Sequence, residues 1–258
     1  MLPAHPGYRS NPRFHYGVGF DLKSFSTHHF SVEELPANID TLRFRRIKNS
    51  HRGIGKLRNL KWLLAYCVNQ DCLDELAALS NLEVLYISEL NATDLSPLKR
   101  CRALRNLIIK GATKVPNLDW LDGLPPLESL LLEHFKLVHD LSAVVTLRSI
   151  RAFGIEGSMW TKQKVESLSP VSELKQLEAL FMANCKADND GLKPLHKLSN
   201  LRCLQAPGFY PDNEFLDLRA ALPNLECQWF REIDQYGSIK AALKARINEI
   251  KNPGQTET

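Results

Sequence analysis

An apolar pattern of six residues, L-x-x-L-x-L, recurs along this chain nine times, and no other feature restricts the possible folds as strongly. Its clearest copies begin at Leu82, Leu104 and Leu127, as in Leu82-Glu83-Val84-Leu85-Tyr86-Ile87. Degenerate copies begin at Ile39, Leu60, Leu147, Leu177, Leu201 and Leu225. Starts are spaced by 21, 22, 22, 23, 20, 30, 24 and 24 residues, and a small or apolar residue stands three positions before each one. In an extended strand the last two apolar residues of the pattern lie two apart and share one face. A unit this short cannot bury that face alone, whereas parallel stacking lets every strand share one continuous core.

The segments that return the chain to the next strand also repeat. Asp94-Leu95-Ser96-Pro97-Leu98, Leu168-Ser169-Pro170-Val171 and Leu192-Lys193-Pro194-Leu195 place proline where a short turn or the first residue of a helical turn accepts it. The expected architecture is α/β: a solenoid with a parallel sheet of about nine strands and short turns, 3-10 or helical segments opposite it. Three regions follow. Residues 1–35 form an N-terminal cap in which Phe14, Tyr16, Val18 and Phe20 alternate like an added strand. Residues 36–230 form the repeat domain. Residues 231–258 form a capping helix and frayed tail, with Ser238 as N-cap and Ile239, Leu243, Ile247 and Ile250 on one stripe from Ser238 to Lys251. The long sixth interval carries an insertion, Glu156 to Lys162, followed by a helix-like Lys164 to Leu168.

These copies resemble the leucine-rich-repeat family, specifically the short-repeat type of bacterial internalins, bacterial solo repeat proteins and eukaryotic phosphatase regulators. The resemblance covers residues 36–230 and implies a horseshoe whose sheet lines the concave face. One departure concerns the corner where the family places Asn or Cys. Here it reads Ile47, Val68, Leu90, Ala112, Phe135, Ile155, Cys185 and Phe209, so only Cys185 fits and apolar packing must hold that corner.

Strand residues that point away from the core would line the concave face. The position after each start reads Asp40, Lys61, Glu83, Arg105, Glu128, Arg148, Glu178, Arg202 and Glu226, alternating in sign. With parallel strands about 4.8 Å apart, this row is expected to be a salt-bridge ladder that fixes register. The central column reads Arg43, Leu64, Tyr86, Ile108, Leu131, Arg151, Phe181, Gln205 and Trp229. A second column adds Arg45, Tyr66, Ser88, Lys110, Glu133, Phe153, Ala183, Pro207 and Arg231. Large apolar side chains on an outward face mark interaction sites. The candidate partner-binding residues are therefore Tyr66, Tyr86, Ile108, Leu131, Arg151, Phe153, Phe181 and Trp229. Trp160 in the insertion joins them, either as an arm over the concave surface or tucked into the convex side.

Catalysis is not expected. The chain has no G-x-G-x-x-G, P-loop or G-x-S-x-G motif, and its histidines lack the H-E-x-x-H spacing of a zinc site. No catalytic residue, cofactor or metal is expected. Cys203 and Cys227 occupy equivalent positions on adjacent expected strands, where a disulfide is conceivable and two thiols are preferred. Six cysteines without paired spacing, with no signal-peptide run, give an expectation of cytoplasmic thiols. No apolar stretch is long enough to span a membrane. A net charge of +4 and one basic run from Arg43 to Lys61, without a nucleic-acid motif, disfavour nucleic acid. The expectation is a recognition module that binds another protein on its concave face, in its sharper form an inhibitor or immunity protein occluding an enzyme or toxin. The alternative is a structural, self-associating protein that buries the same column in a homodimer.

Overall fold

The computed structural model describes residues 13, 16–18, 27–33 and 35–237. Apolar pairs two apart place one strand in each repeat: β1 (His28–His29), β2 (Thr41–Arg45), β3 (Trp62–Tyr66), β4 (Val84–Ser88), β5 (Asn106–Lys110), β6 (Ser129–Glu133) and β7 (Ala152–Glu156). After the insertion come β8 (Gln163–Val165), β9 (Ala179–Phe181), β10 (Cys185–Ala187), β11 (Cys203–Gln205) and β12 (Glu226–Cys227). Ten of them form one sheet in the order β1-β2-β3-β4-β5-β6-β7-β9-β11-β12, every neighbour parallel. β8 and β10 make a separate parallel pair. The extra strand before the first repeat is β1. Tyr16 to Val18, expected in a strand, are not, and Phe14 and Phe20 lie outside the described residues.

Leu42, Leu63, Leu85, Leu107, Leu130, Phe153, Leu180, Leu204 and Cys227 share one register across the sheet. All point into one core that extends from Val32 to Phe230. Leu107 is fully buried there. Leu107→Ala is expected to cost about 2–5 kcal/mol in urea denaturation, and a neutral result would mean the strand faces are reversed.

The proline-containing returns form 3-10 turns at Ser96–Arg100, Val171–Glu173 and Lys193–Lys197. Asp94 and Asp140 open two of the returns by accepting the backbone N–H of Ser96 and Ser142 at 2.8 and 2.7 Å. The return between β3 and β4 is an α-helix, α1 (Gln70–Leu76), where Asn69 caps by accepting from the Cys72 amide at 3.2 Å. Val68, Leu90, Ala112, Phe135 and Cys185 are buried at the corner, which apolar packing fills in those repeats, whereas Ile47 and Phe209 are 53% and 40% exposed and do not pack there as expected. Just before that corner Cys67, Glu89, Gly111, His134 and Asn184, each seven residues after a start, have φ of 58°, 58°, 72°, 59° and 50°. The repeated left-handed residue turns the chain off the sheet at the same point in these five units.

Three expectations are corrected. The sixth repeat begins at Ile150, not Leu147, because Phe153 pairs with Leu130 and Ile155 with Leu132. Residues 163–165 form β8, not a helix, since they pair with β10. The sheet ends at Cys227, and residues 228–237 are helical, so the helix crosses the boundary placed at 230. The chain reaches it through α2 (Asp212–Ala221). The helix expected over 238–251 lies outside the described residues.

Candidate functional site

The face of the sheet opposite the core carries three columns of side chains. Thr41, Trp62, Val84, Asn106, Ser129, Ala152, Ala179 and Cys203 form the first. Arg43, Leu64, Tyr86, Ile108, Leu131, Gly154, Phe181 and Gln205 form the second. The third includes Arg45, Tyr66 and Ser88, then Lys110, Glu133 and Glu156. Gly154 makes room in the second column, since a Cβ there would stand 2.2 Å from Cδ1 of Leu131.

This face has two halves. Over β5 to β11 its apolar residues are buried: Ile108, Leu131, Ala152, Ala179 and Phe181 form a second cluster with Leu64, Val84 and Val18. Val18 belongs to the N-terminal segment, which lies across the strands. Its Arg13 donates through Nε to Oε1 of Gln205 at 3.1 Å and through NH2 to Glu156. The Arg13 guanidinium also sits over the Phe181 ring, 5.5 Å from its centroid. Ser129 Oγ lies 3.2 Å from the Gly17 carbonyl oxygen, which accepts from it. Tyr16 is half-buried beside them. Arg13 and residues 16–18 thus form a strap over the second column. Burial pushes the Glu156 carboxyl up, while Arg13 and the Ala183 amide pull it down.

Over β1 to β4 Leu64 and Val84 are buried, and around them His28, Tyr66, Tyr86, Arg43 and Arg45 make a partly exposed aromatic and cationic surface. His28 stacks on Tyr66 at 5.8 Å and Tyr66 meets Tyr86 at 6.1 Å. Arg43 and Arg45 lie over the Tyr66 ring at 5.7 and 5.0 Å, and Lys110 over Tyr86 at 6.0 Å. Burial, with Arg43 and Arg45 adding to it, pushes the His28 imidazole down. Glu89 ties Arg45 in place by accepting at 2.9 and 3.2 Å.

Among solved structures, internalin C2 of Listeria monocytogenes superposes with a TM-score of 0.53 at 20% identity, over 77% of each chain. A leucine-rich-repeat protein of Leptospira interrogans gives 0.53 at 18% identity, over 74% of this chain and 48% of that one, so this chain spans about half of it. The fold is a leucine-rich-repeat solenoid. No protein-family profile and no curated protein matches the chain.

On this leucine-rich-repeat sheet the candidate residues separate. Tyr66 and Tyr86 lie half-exposed on the aromatic half. Ile108, Leu131 and Phe181 do face outward, yet the strap cluster buries them. Arg151 leaves the central column for the charge row, because the sixth repeat starts three residues later than expected. Its guanidinium pairs Glu178 through Nε–Oε1 and NH2–Oε2, both 2.8 Å. The same row holds Lys61–Glu83 at 3.6 Å and Arg105–Glu128 at 3.3 Å, with Arg151 taking the place expected for Arg148. These pairs are solvated, so Arg151→Ala is expected to change stability by no more than about 1 kcal/mol in denaturant titration.

Phe153 does not face outward at all; it is 0% exposed in the main core. Trp229 leaves the sheet with the 228–237 helix and packs on Phe215 at 5.8 Å. Trp160 is 89% exposed beside Met159 at 83%, so it lies against neither face. Cys203 and Cys227 are not equivalent: Cys227 registers with Leu204 and enters the core, while Cys203 stays on the outer face. All six cysteines are free thiols. Burial pushes Cys72 and Cys185 up to about 12, which leaves them unreactive near neutral pH.

Sequence reasoning missed Arg13, Gly17 and Glu156 as members of this face. The available signal was indirect. An outward column that is too apolar for a solvated surface demands a cover, and the apolar alternation at residues 14–20, read as an added strand, was available to supply one.

Proposed function

We propose that this chain is a recognition module that binds another protein along the concave face of its sheet and performs no chemistry of its own. The strap carries this reading. The face already holds a peptide segment by an ion pair, a side chain to backbone hydrogen bond and apolar burial, which are the interactions a partner protein supplies. Beside it the half around His28, Tyr66, Tyr86, Arg43 and Arg45 offers the aromatic and arginine side chains that dominate binding energy at interfaces. Glu83, Glu89 and Glu133 interleave with the cations of this face, and that mixture suits a protein better than a uniformly anionic polymer. The finer role of inhibitor or immunity protein would use the same face by occluding an enzyme or toxin. Six free thiols fit a reducing cytoplasm. Self-association loses its main motive once Ile108, Leu131 and Phe181 are covered within the monomer.

The test is affinity capture from the native host with the wild-type chain, Tyr66→Ala/Tyr86→Ala, and Lys197→Ala on the opposite side as control. A specific protein should remain with the wild type and the control and be lost from the tyrosine variant. Equal capture by all three would contradict the reading. Light scattering should report a monomer; a tight dimer would favour self-association instead.

A further inference from the structure

The strap is assembled as a ligand rather than as part of the sheet. Residues 16–18 belong to no strand, and the contacts run between distant parts of the chain, 112 to 192 residues apart. Each contact has a chemical requirement. Glu156 is 2% exposed, and a buried carboxylate without a cation is costly, so whatever covers it must bring positive charge. Arg13 meets Glu156, Gln205 and the Phe181 ring at once, a combination that suits a planar guanidinium and not an ammonium. Gly17 has φ +77°, a conformation that strains any residue with a side chain, and a Cβ on it would also stand 2.9 Å from Oδ1 of Asn106, so glycine is favoured at this point. Val18, five residues after Arg13, then fills the apolar floor that includes Leu64, Ile108 and Leu131.

We propose that Arg13 and residues 16–18 are a displaceable stand-in for the partner. The partner enters with a segment that presents an arginine to Glu156 and Gln205, a glycine beside Asn106 and Ser129, and a small apolar residue to the floor, with the turn that the Val18 amide closes on the Arg13 carbonyl. The proposal rests on the recognition reading and names the chemistry of what is recognised. While the strap is docked the groove is closed, and the partner's apparent affinity falls by the fraction of molecules in which it is open. The chain thereby holds its own competitor, covalently attached.

The experiment is a fluorescence-polarisation titration of a labelled synthetic peptide, residues 11–20 of this chain, against the full-length protein. Arg13→Ala in the protein weakens its own strap and should raise affinity for the peptide by about tenfold or more over wild type. Replacing the peptide's arginine by lysine should lose most of that gain, and adding Glu156→Gln to the released protein should abolish the preference for arginine. Val18→Ala provides a second release should Arg13→Ala fail to fold by circular dichroism. The proposal is overturned by a folded, released protein that ignores the peptide or that binds the lysine peptide equally well. Should that protein still capture its partner through Tyr66 and Tyr86, the stand-in fails and the recognition reading survives; loss of both sinks both.

Discussion

Phe153→Ala is expected to lower the stability of the fold by about 3–5 kcal/mol, read from the midpoint of urea denaturation at unchanged slope. The residue registers with Leu130 and Leu180 and is enclosed in the main core, so truncation leaves a cavity between two repeats. An outward phenylalanine would cost far less, and a shift below about 0.5 kcal/mol would return the sixth repeat to a start at Leu147. The same experiment therefore measures stability and decides register.

Arg13→Ala is expected to act on the strap and leave the solenoid folded. A hydrogen bond to a charged group is worth about 1.5–3 kcal/mol, and the Arg13–Glu156 contact is of that kind. The amide of Val18, which donates to the Arg13 carbonyl at 2.8 Å, should then exchange with solvent about tenfold to a hundredfold faster. Amides of β5 and β6 should keep their protection. Glu156→Gln should have a similar effect, and the double variant should add little to either single one, because both remove the same interaction. Full additivity would mean the two residues do not depend on each other.

Most of the solenoid was legible because its information is local and repeated. Eight of the nine starts can be read from apolar spacing alone; the start at Leu147 and the strand that follows Leu225 give wrong side-chain directions. Leu147 and Ile150 are three apart, like the first two positions of the pattern, so a shift of three residues preserves most of the apolar match. The distinguishing position is five after the start, where Ala152 is a weaker core residue than Ile155. That shift sent Phe153 outward and moved Arg151 to the wrong column, while the charge alternation survived because both candidates at that position are arginine. Trp229 was misplaced for another reason: the ladder stops at Cys227 and a helix takes over, and strand periodicity carries no warning of that. The strap was illegible by its nature. Its hydrogen-bond partners lie more than a hundred residues away, and periodicity reports only which face of a local element is apolar, not what lies upon it.

Arg13 and Val18 cover the apolar column on the outward face of the sheet. Methyl NMR of the full-length protein with a soluble paramagnetic probe tests this directly. Val18 methyls should show cross-peaks to methyls of its cluster, among them Leu64, Ile108 and Leu131, and the Ile108 and Leu131 signals should resist broadening by the probe. Arg13→Ala should weaken both effects together. Broadened Ile108 and Leu131 signals in the wild type, with no contact to Val18, would contradict the account.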